Sequence, residues 1–212
     1  MLKNKSCAKA VNQILKTIYP DVKTQLNYRN PFELLVATIL SAQCTDKQVN
    51  SVTAELFNKL TTPADFADAP LELIERLIHA TGFFHNKARH IKNCAKVLVK
   101  KYKGYIPATL EELVKLPGVG RKTANVVLGA AFNVPGIVVD THVARISKRL
   151  ELTLYGDPVK IEFDLMKIIP RKDWSDFSLR LIYFGRAFCK ARKPLCQSCP
   201  LIKHCRYPHK MI

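Results

Sequence analysis

Acidic residues are scarce in this chain and disappear from its end. Its 212 residues carry 17 Asp and Glu against 34 Lys and Arg, a formal charge of +17, and no carboxylate follows Asp176. A charge that large repels itself unless a polyanion compensates, which makes nucleic acid the leading partner over a merely solvated face or an acidic membrane surface. Long apolar runs are missing too: none approaches the ~20 residues that a membrane span requires. The opening Met1-Leu2-Lys3-Asn4-Lys5 is polar, unlike a secretory signal. A soluble, cytoplasmic protein is therefore expected. Strand patterning is nearly absent, since only Ile137-Val138-Val139 qualifies and it is too short to found a sheet. With eight glycines and no low-complexity tract, there is no long flexible linker.

Helical periodicity fills the space that these absences leave. Phe32, Leu35, Val36, Ile39 and Leu40 recur at helical spacing behind Asn30-Pro31-Phe32-Glu33, which supplies an N-cap, an N1 proline and an N3 acid. Val49, Val52, Leu56 and Leu60 mark a helix capped by Thr45. Ile91, Cys94, Ala95, Leu98 and Tyr102 mark another, opened by Asn86, and Thr109 with Glu112 caps a short one ending before Pro117. Further helical patterns run near 6–19, 71–80, 121–132, 141–150, 158–169 and 175–188. The expected fold is all-α, from about nine to eleven short helices, in a chain long enough for one or two domains.

Seven cysteines, an odd number, do not suit a disulfide framework. Four of them crowd the basic end as Cys189, Cys196, Cys199 and Cys205, a Cys-x6-Cys-x2-Cys-x5-Cys run. Thiolates so close in sequence suit one metal centre, and the six-residue first spacing favours an iron–sulfur cluster over paired zinc knuckles. The scattered Cys7, Cys44 and Cys94 read as buried thiols of a reducing compartment.

A second constellation lies at the centre. Leu116-Pro117-Gly118-Val119-Gly120-Arg121-Lys122-Thr123-Ala124 reads as helix, glycine turn and second helix. The glycines allow close backbone approach, and the second helix offers its positive end, a device that holds phosphates without reading bases. Ala124, Val127, Leu128 and Ala131 form the apolar face of that helix, with Lys122 roughly 160° away from it at ~100° per residue. In the first helical turn beside Arg121, the ammonium of Lys122 is disfavoured, which suits an amine nucleophile. Asp140 ends Gly136-Ile137-Val138-Val139 and opens the next helix. N-capping alone accounts for its position, and His142 reads as a polar neighbour.

Together these residues resemble the helix-hairpin-helix DNA glycosylases, and most of all the endonuclease III family, from about residue 10 to 208. The specific parts are Leu40-Ser41-Ala42-Gln43-Cys44-Thr45-Asp46, the hairpin run through Val127, Val139-Asp140-Thr141-His142 and the four-cysteine loop. The resemblance implies a 4Fe-4S cluster on Cys189, Cys196, Cys199 and Cys205, Lys122 as nucleophile and Asp140 as catalytic carboxylate. It implies two helical domains with a DNA groove between them: a six-helix unit of about 23–134 with the hairpin, and 1–22 plus 135–212 with the cluster loop. The activity implied is a bifunctional DNA glycosylase and AP lyase of base excision repair. Such an enzyme removes oxidised pyrimidines from duplex DNA and nicks 3′ to the abasic site by β-elimination through a lysine Schiff base. DNA contacts are expected from Gln43, which probes the gap, and from Phe83 in the wedge Thr81–Ala88. Gly118, Val119, Gly120 and Arg121 of the hairpin and the basic residues Lys190, Arg192 and Lys193 complete the set. A monomer is expected, nucleoid-associated in a bacterium.

Two departures from the family pattern stand out: Cys44 where alanine is common, and Phe83 where leucine is common. Both leave the chemistry intact and bear on lesion preference. An adenine-mismatch relative would lack the hairpin lysine, whereas a thymine- or uracil-mismatch glycosylase is excluded less firmly. A non-catalytic DNA-binding protein and an iron–sulfur electron carrier remain as alternatives of other classes, and Lys87 is the rival nucleophile.

Overall fold

The computed structural model describes residues 2–210. Among them are eleven α-helices and no strand. In chain order these are α1 Leu2–Ile18, α2 Pro31–Leu40, α3 Asp46–Lys59, α4 Pro63–Asp68, α5 Leu71–Ile78, α6 Phe84–Tyr102, α7 Leu110–Leu113, α8 Arg121–Phe132, α9 Thr141–Arg149, α10 Pro158–Ile168 and α11 Trp174–Ala187. Short 3-10 turns cover His79–Thr81, Arg171–Asp173 and Ile202–His204. The chain forms two compact units, one from Gln25 to Val134 and one joining the residues up to Thr24 with those from Pro135 onward.

The Gln25–Val134 unit is organised around α2. Asn30 accepts from the Glu33 N–H, Pro31 stands at N1, and every residue from Phe32 to Leu40 is buried. A helix apolar on all sides belongs inside a core. Here α3, α6 and α8 pack against it, and α4 and α5 pack against α6. Leu34, Leu35, Leu40, Leu56, Phe66, Ile74, Ile78, Ile91 and Leu98 are fully buried, each contributing about 1.5–3 kcal/mol of transfer free energy. The one carboxylate on α2, Glu33, is buried but not orphaned. It accepts from the Arg29 backbone N–H at 2.7 Å and from Arg29 Nε at 2.8 Å, while Arg29 Nη2 donates to the Phe57 carbonyl.

The helices differ from the sequence reading at α1, which starts at Leu2 and not near 6, at α6, and at α4, which is not among those expected. Thr45 and Thr109 cap as anticipated, but α6 begins at Phe84, not Asn86. Its N-cap is Phe83, held in the left-handed region with no side-chain cap bond. The six-residue α4 is too short to give a periodic signal, yet it carries a full capping box between Thr62 and Asp65 with Pro63 at N1.

In the second unit the apolar faces of α1, α9, α10 and α11 share a core that includes Ala8, Val11, Leu15, Val143, Ile146, Ile161, Leu165, Phe177, Leu181 and Phe184. Ile137–Val139 pairs with no strand. It is a buried segment braced by side chains of α11: Ser175 Oγ accepts from the preceding Gly136 N at 3.3 Å and Ser178 Oγ from Val138 N at 3.0 Å. α1 is fastened by Asn12 Nδ2 and Lys16 Nζ, each 2.8 Å from Asp173 Oδ2. Burial alone would raise Asp173, but the bonds from Lys16 and Asn12 outweigh it and hold the carboxyl below its ordinary value. The buried Arg180 adds a clamp, donating to the Tyr19 and Pro20 carbonyls.

Candidate active site and nucleic-acid interface

The hairpin forms between α7 and α8. Leu116 and Val119 are buried, and the Val119 N–H donates to the Leu116 carbonyl at 3.1 Å, closing the turn. Gly118 adopts φ +77, and a Cβ there would lie 2.7 Å from His90 Cβ. Glycine is thus required twice, by dihedral and by space. Gly120 is the N-cap of α8 and carries no capping side chain. With Val119 turned into the core, only its backbone is available to a phosphate, whereas Gly118 and Gly120 are exposed. Glu112 fastens α7 to α6 through Tyr102 Oη and Lys101 Nζ, and also bonds Lys115 Nζ. Lys115, then Tyr102 and Lys101, hold its carboxyl down to about 2.

Lys122 is exposed in the first turn of α8, while Ala124, Val127 and Leu128 are buried on the opposite face. Arg121 beside it is half-buried. The rival Lys87 is in a different state. It is 5% exposed, and its Nζ donates at 2.8 Å to the carbonyls of both Leu40 and Thr81. Gln43 and Phe83 belong to the same unit, on the loop after α2 and at the start of α6. Both are exposed, and both are non-glycine residues with positive φ, 52° and 49°. Cys44 is half-buried against the core, Cys7 is half-buried in the other unit, and of these three scattered cysteines Cys94 alone is buried, its thiol pushed up to about 12 by burial.

Asp140 stands in the other unit, at the end of the serine-braced segment. It caps α9, Oδ1 accepting from the Val143 N–H at 2.8 Å. His142 packs on Gly185 of α11 so closely that a Cβ there would lie 2.5 Å from its Nδ1. Arg145 Nη2 lies 3.0 Å from that Nδ1. Burial lowers the His142 pKa, Arg145 and Arg186 add to the effect, and Asp140 opposes it.

All four clustered cysteines, with Arg149, Phe188, Pro194, Leu195, Ile202 and Tyr207, line one pocket of about 290 Å³, its open mouth included. Burial raises the Cys199 thiol, and the other three cysteine sulfurs add to that, as groups sharing one space should. Among the described residues no three His, Cys, Asp or Glu side chains are grouped to hold a single metal ion; the thiols ring the pocket. A cage of thiols with an apolar wall suits a cluster of iron and sulfide, so the donor set fits. Two arginines absent from the sequence-based expectations organise this loop from α9. Arg145 donates to the Cys189 carbonyl at 3.1 and 2.7 Å. Arg149 donates to Cys189 Sγ at 3.1 Å and to the carbonyls of Lys190 and Ala191. Their i,i+4 spacing on a helix whose other face is Val143, Ile146 and Leu150 is a usable signal. The loop backbone is thereby held while Lys190, Arg192 and Lys193 stay exposed.

Comparison with known proteins places this geometry. Residues 36–171 match the HhH-GPD superfamily of base excision DNA repair proteins. The chain is 51% identical over 206 residues to endonuclease III of Synechocystis sp., covering 97% of this chain and 94% of that protein. The structure of a trapped endonuclease III–DNA covalent intermediate, an estranged-adenine complex, superposes with TM-score 0.92 at 50% identity, covering 95% of each chain. A thermostable thymine-DNA glycosylase shares the architecture at TM-score 0.85 but only 26% identity, over 95% of this chain and 96% of that one. No helix among the described residues is long and apolar enough to cross a membrane. With the hairpin, the lysine behind it and the ring of four cysteines all in one matching framework, the chain belongs to the endonuclease III family of the HhH-GPD superfamily.

Proposed function

We propose that this chain is a bifunctional DNA glycosylase and AP lyase of base excision repair, acting on oxidised pyrimidines in duplex DNA. One observation carries the assignment: Lys122 is exposed in the first turn of α8, directly after a glycine turn, while Lys87 is buried against two carbonyls. The hairpin backbone and the helix end offer a sequence-blind hold on phosphates. The damaged nucleotide must leave the stack before an amine can reach its sugar, and damage lowers that cost.

The Lys122 amine then attacks C1′ through its lone pair. The C1′–N glycosidic bond breaks, its electron pair leaves with the base, and the base takes up a proton. An amine proton moves to O4′ as the C1′–O4′ bond breaks, and the nitrogen lone pair forms the C1′=N bond of the protonated imine. That imine acidifies C2′–H; a base removes the proton, the pair forms the C2′–C3′ double bond, and the C3′–O bond breaks with the phosphate as leaving group. Water hydrolyses the imine and returns the lysine. Asp140, held in one rotamer by its bond to Val143 N, supplies the carboxylate that stabilises cationic character at the sugar.

A 4Fe-4S cluster would be held by Cys189, Cys196, Cys199 and Cys205, and it would cross-link the loop that carries Lys190, Arg192 and Lys193 without taking part in any step at the sugar. We place the protein in the cytoplasm, as a monomer. Borohydride reduction in the presence of an oligonucleotide with one oxidised pyrimidine tests the assignment. A covalent protein–DNA adduct is expected, and base release with no adduct would leave a glycosylase without a lysine imine.

A further inference from the structure

Lys87 is the one lysine buried among the described residues. Its ammonium bridges the last carbonyl of α2, at Leu40, and the last carbonyl of the 3-10 turn, at Thr81, both at 2.8 Å. Each carbonyl stands at the root of a short loop. Three residues beyond Leu40 is Gln43, and two beyond Thr81 is Phe83, both exposed and two of the five described non-glycine residues with positive φ. Non-glycine residues persist in that region only where their surroundings over-determine them. The surroundings here converge on position 87. Its backbone N–H donates to the Phe83 carbonyl at 3.1 Å, so one residue grips the chain on both sides of Gly82. Cys44, next to Gln43, lies close enough to act electrostatically on the Lys87 amine, opposing the lowering that burial imposes. An ammonium near the start of a helix gains nothing from the dipole, so burial of a charge here is explained by the two carbonyls it serves.

We propose that Lys87 is a positioning residue that locks the Gln43 loop and the Phe83 loop to each other, so that both side chains enter the duplex as one rigid element. The proposal rests on the reading that Gln43 and Phe83 insert into DNA. Neither loop could then shift without the other, and base extrusion would fail if the bridge were cut, while chemistry on a sugar already lacking its base would continue.

The experiment compares Lys87→Met and Lys87→Gln with the unmodified protein in two assays: base release from a paired oxidised pyrimidine, and nicking of a preformed abasic site. Base release is expected to fall by roughly ten- to a hundredfold, the size of a sub-ångström to ångström misplacement, with nicking retained within a few-fold. Gln43→Ala with Phe83→Ala should reduce base release in the same way, and adding Lys87→Met to that pair should cost nothing more. Amide hydrogen exchange should quicken at 41–45 and 81–85 together in either Lys87 variant. Exchange that rises in one loop alone, or losses that add fully to those of the loop variants, would overturn the bridge. Full activity in the Gln43→Ala, Phe83→Ala protein would instead overturn the insertion reading on which it stands. If Lys87→Met fails to fold, Lys87→Gln carries both assays, and equal loss of base release and nicking in a folded Lys87→Gln protein would also overturn the proposal.

Discussion

The Cβ of His90 occupies the space that a side chain on Gly118 would need, 2.7 Å from an added methyl group. His90 lies on α6 and Gly118 in the turn before α8, so the packing of one helix dictates the residue type in the hairpin. Gly118→Ala must also hold a positive φ. Strain and overpacking together should lower stability by about 2–4 kcal/mol and weaken binding to undamaged duplex. Adding His90→Ala should restore only the packing share, which urea unfolding of the single and double variants measures. Full restoration would mean that the dihedral carries no cost.

Lys122→Gln keeps length and polarity and removes the amine. Borohydride trapping and strand nicking should disappear while the unfolding midpoint and duplex affinity stay close to those of the parent. Asp140→Asn separates capping from catalysis, because asparagine also caps a helix and can accept from the Val143 N–H. Base release should drop by ~10²–10³, as for loss of one charge-stabilising group, with α9 intact by circular dichroism. Some trapping on a preformed abasic site should survive. Normal base release in Asp140→Asn would leave the carboxylate as a cap and nothing more.

Exposed basic side chains on a backbone held by Arg149 imply a counterion effect at 190–193. Replacing Lys190, Arg192 and Lys193 with alanine should flatten the log–log salt dependence of duplex binding by about 2.7, at about 0.9 for each phosphate no longer neutralised. An unchanged slope would remove this loop from the interface.

The purified protein should be yellow-brown and contain about four irons per chain. Colourless protein carrying one zinc would keep Cys189, Cys196, Cys199 and Cys205 as ligands and discard the cluster.

Glu112 gives a pH signature for the hairpin. Its folded value of about 2 lies below the ordinary 4.5, so its contribution is fully present above 4.5 and is lost as pH falls through about 2. Glu112→Gln should therefore unfold at lower urea than the parent at pH 7. The gap should narrow in acid and close near the bottom of that range. A gap that stays constant down to pH 3 and below would assign the effect to packing instead.

Much of this fold is legible in the amino-acid sequence, and the reason lies in what short stretches of chain encode. Asn30-Pro31 and Thr109 announce their helices because caps and N1 prolines act within three residues. The uninterrupted apolar run of α2 announces a buried helix, and angle alone places Lys122 opposite Ala124 and Val127. What stays hidden depends on partners distant in sequence. The Ile137–Val139 segment has the pattern of a strand, but Val138 and the preceding Gly136 are held by Ser178 and Ser175, some forty residues away. Asn86 has the character of a cap, and nothing local predicts that Phe83 is left-handed and serves as the N-cap instead. Arg145 and Arg149 show in sequence only that they share one face of α9, not what they hold, because their partners are backbone carbonyls of a loop forty residues on.

The pairing of Asn12 with Asp173 spans 161 residues, and it sets an order of events during synthesis. α1 is made well before its partners, because the core that covers Val11 and Leu15 consists of residues made after Pro135. At ~5–20 residues per second, that helix waits roughly 10–30 s with its apolar face unpaired. The Gln25–Val134 unit is continuous in sequence and can close in the meantime. A chain cut off after Val134 should therefore resist protease from Gln25 onward while α1 is still cut.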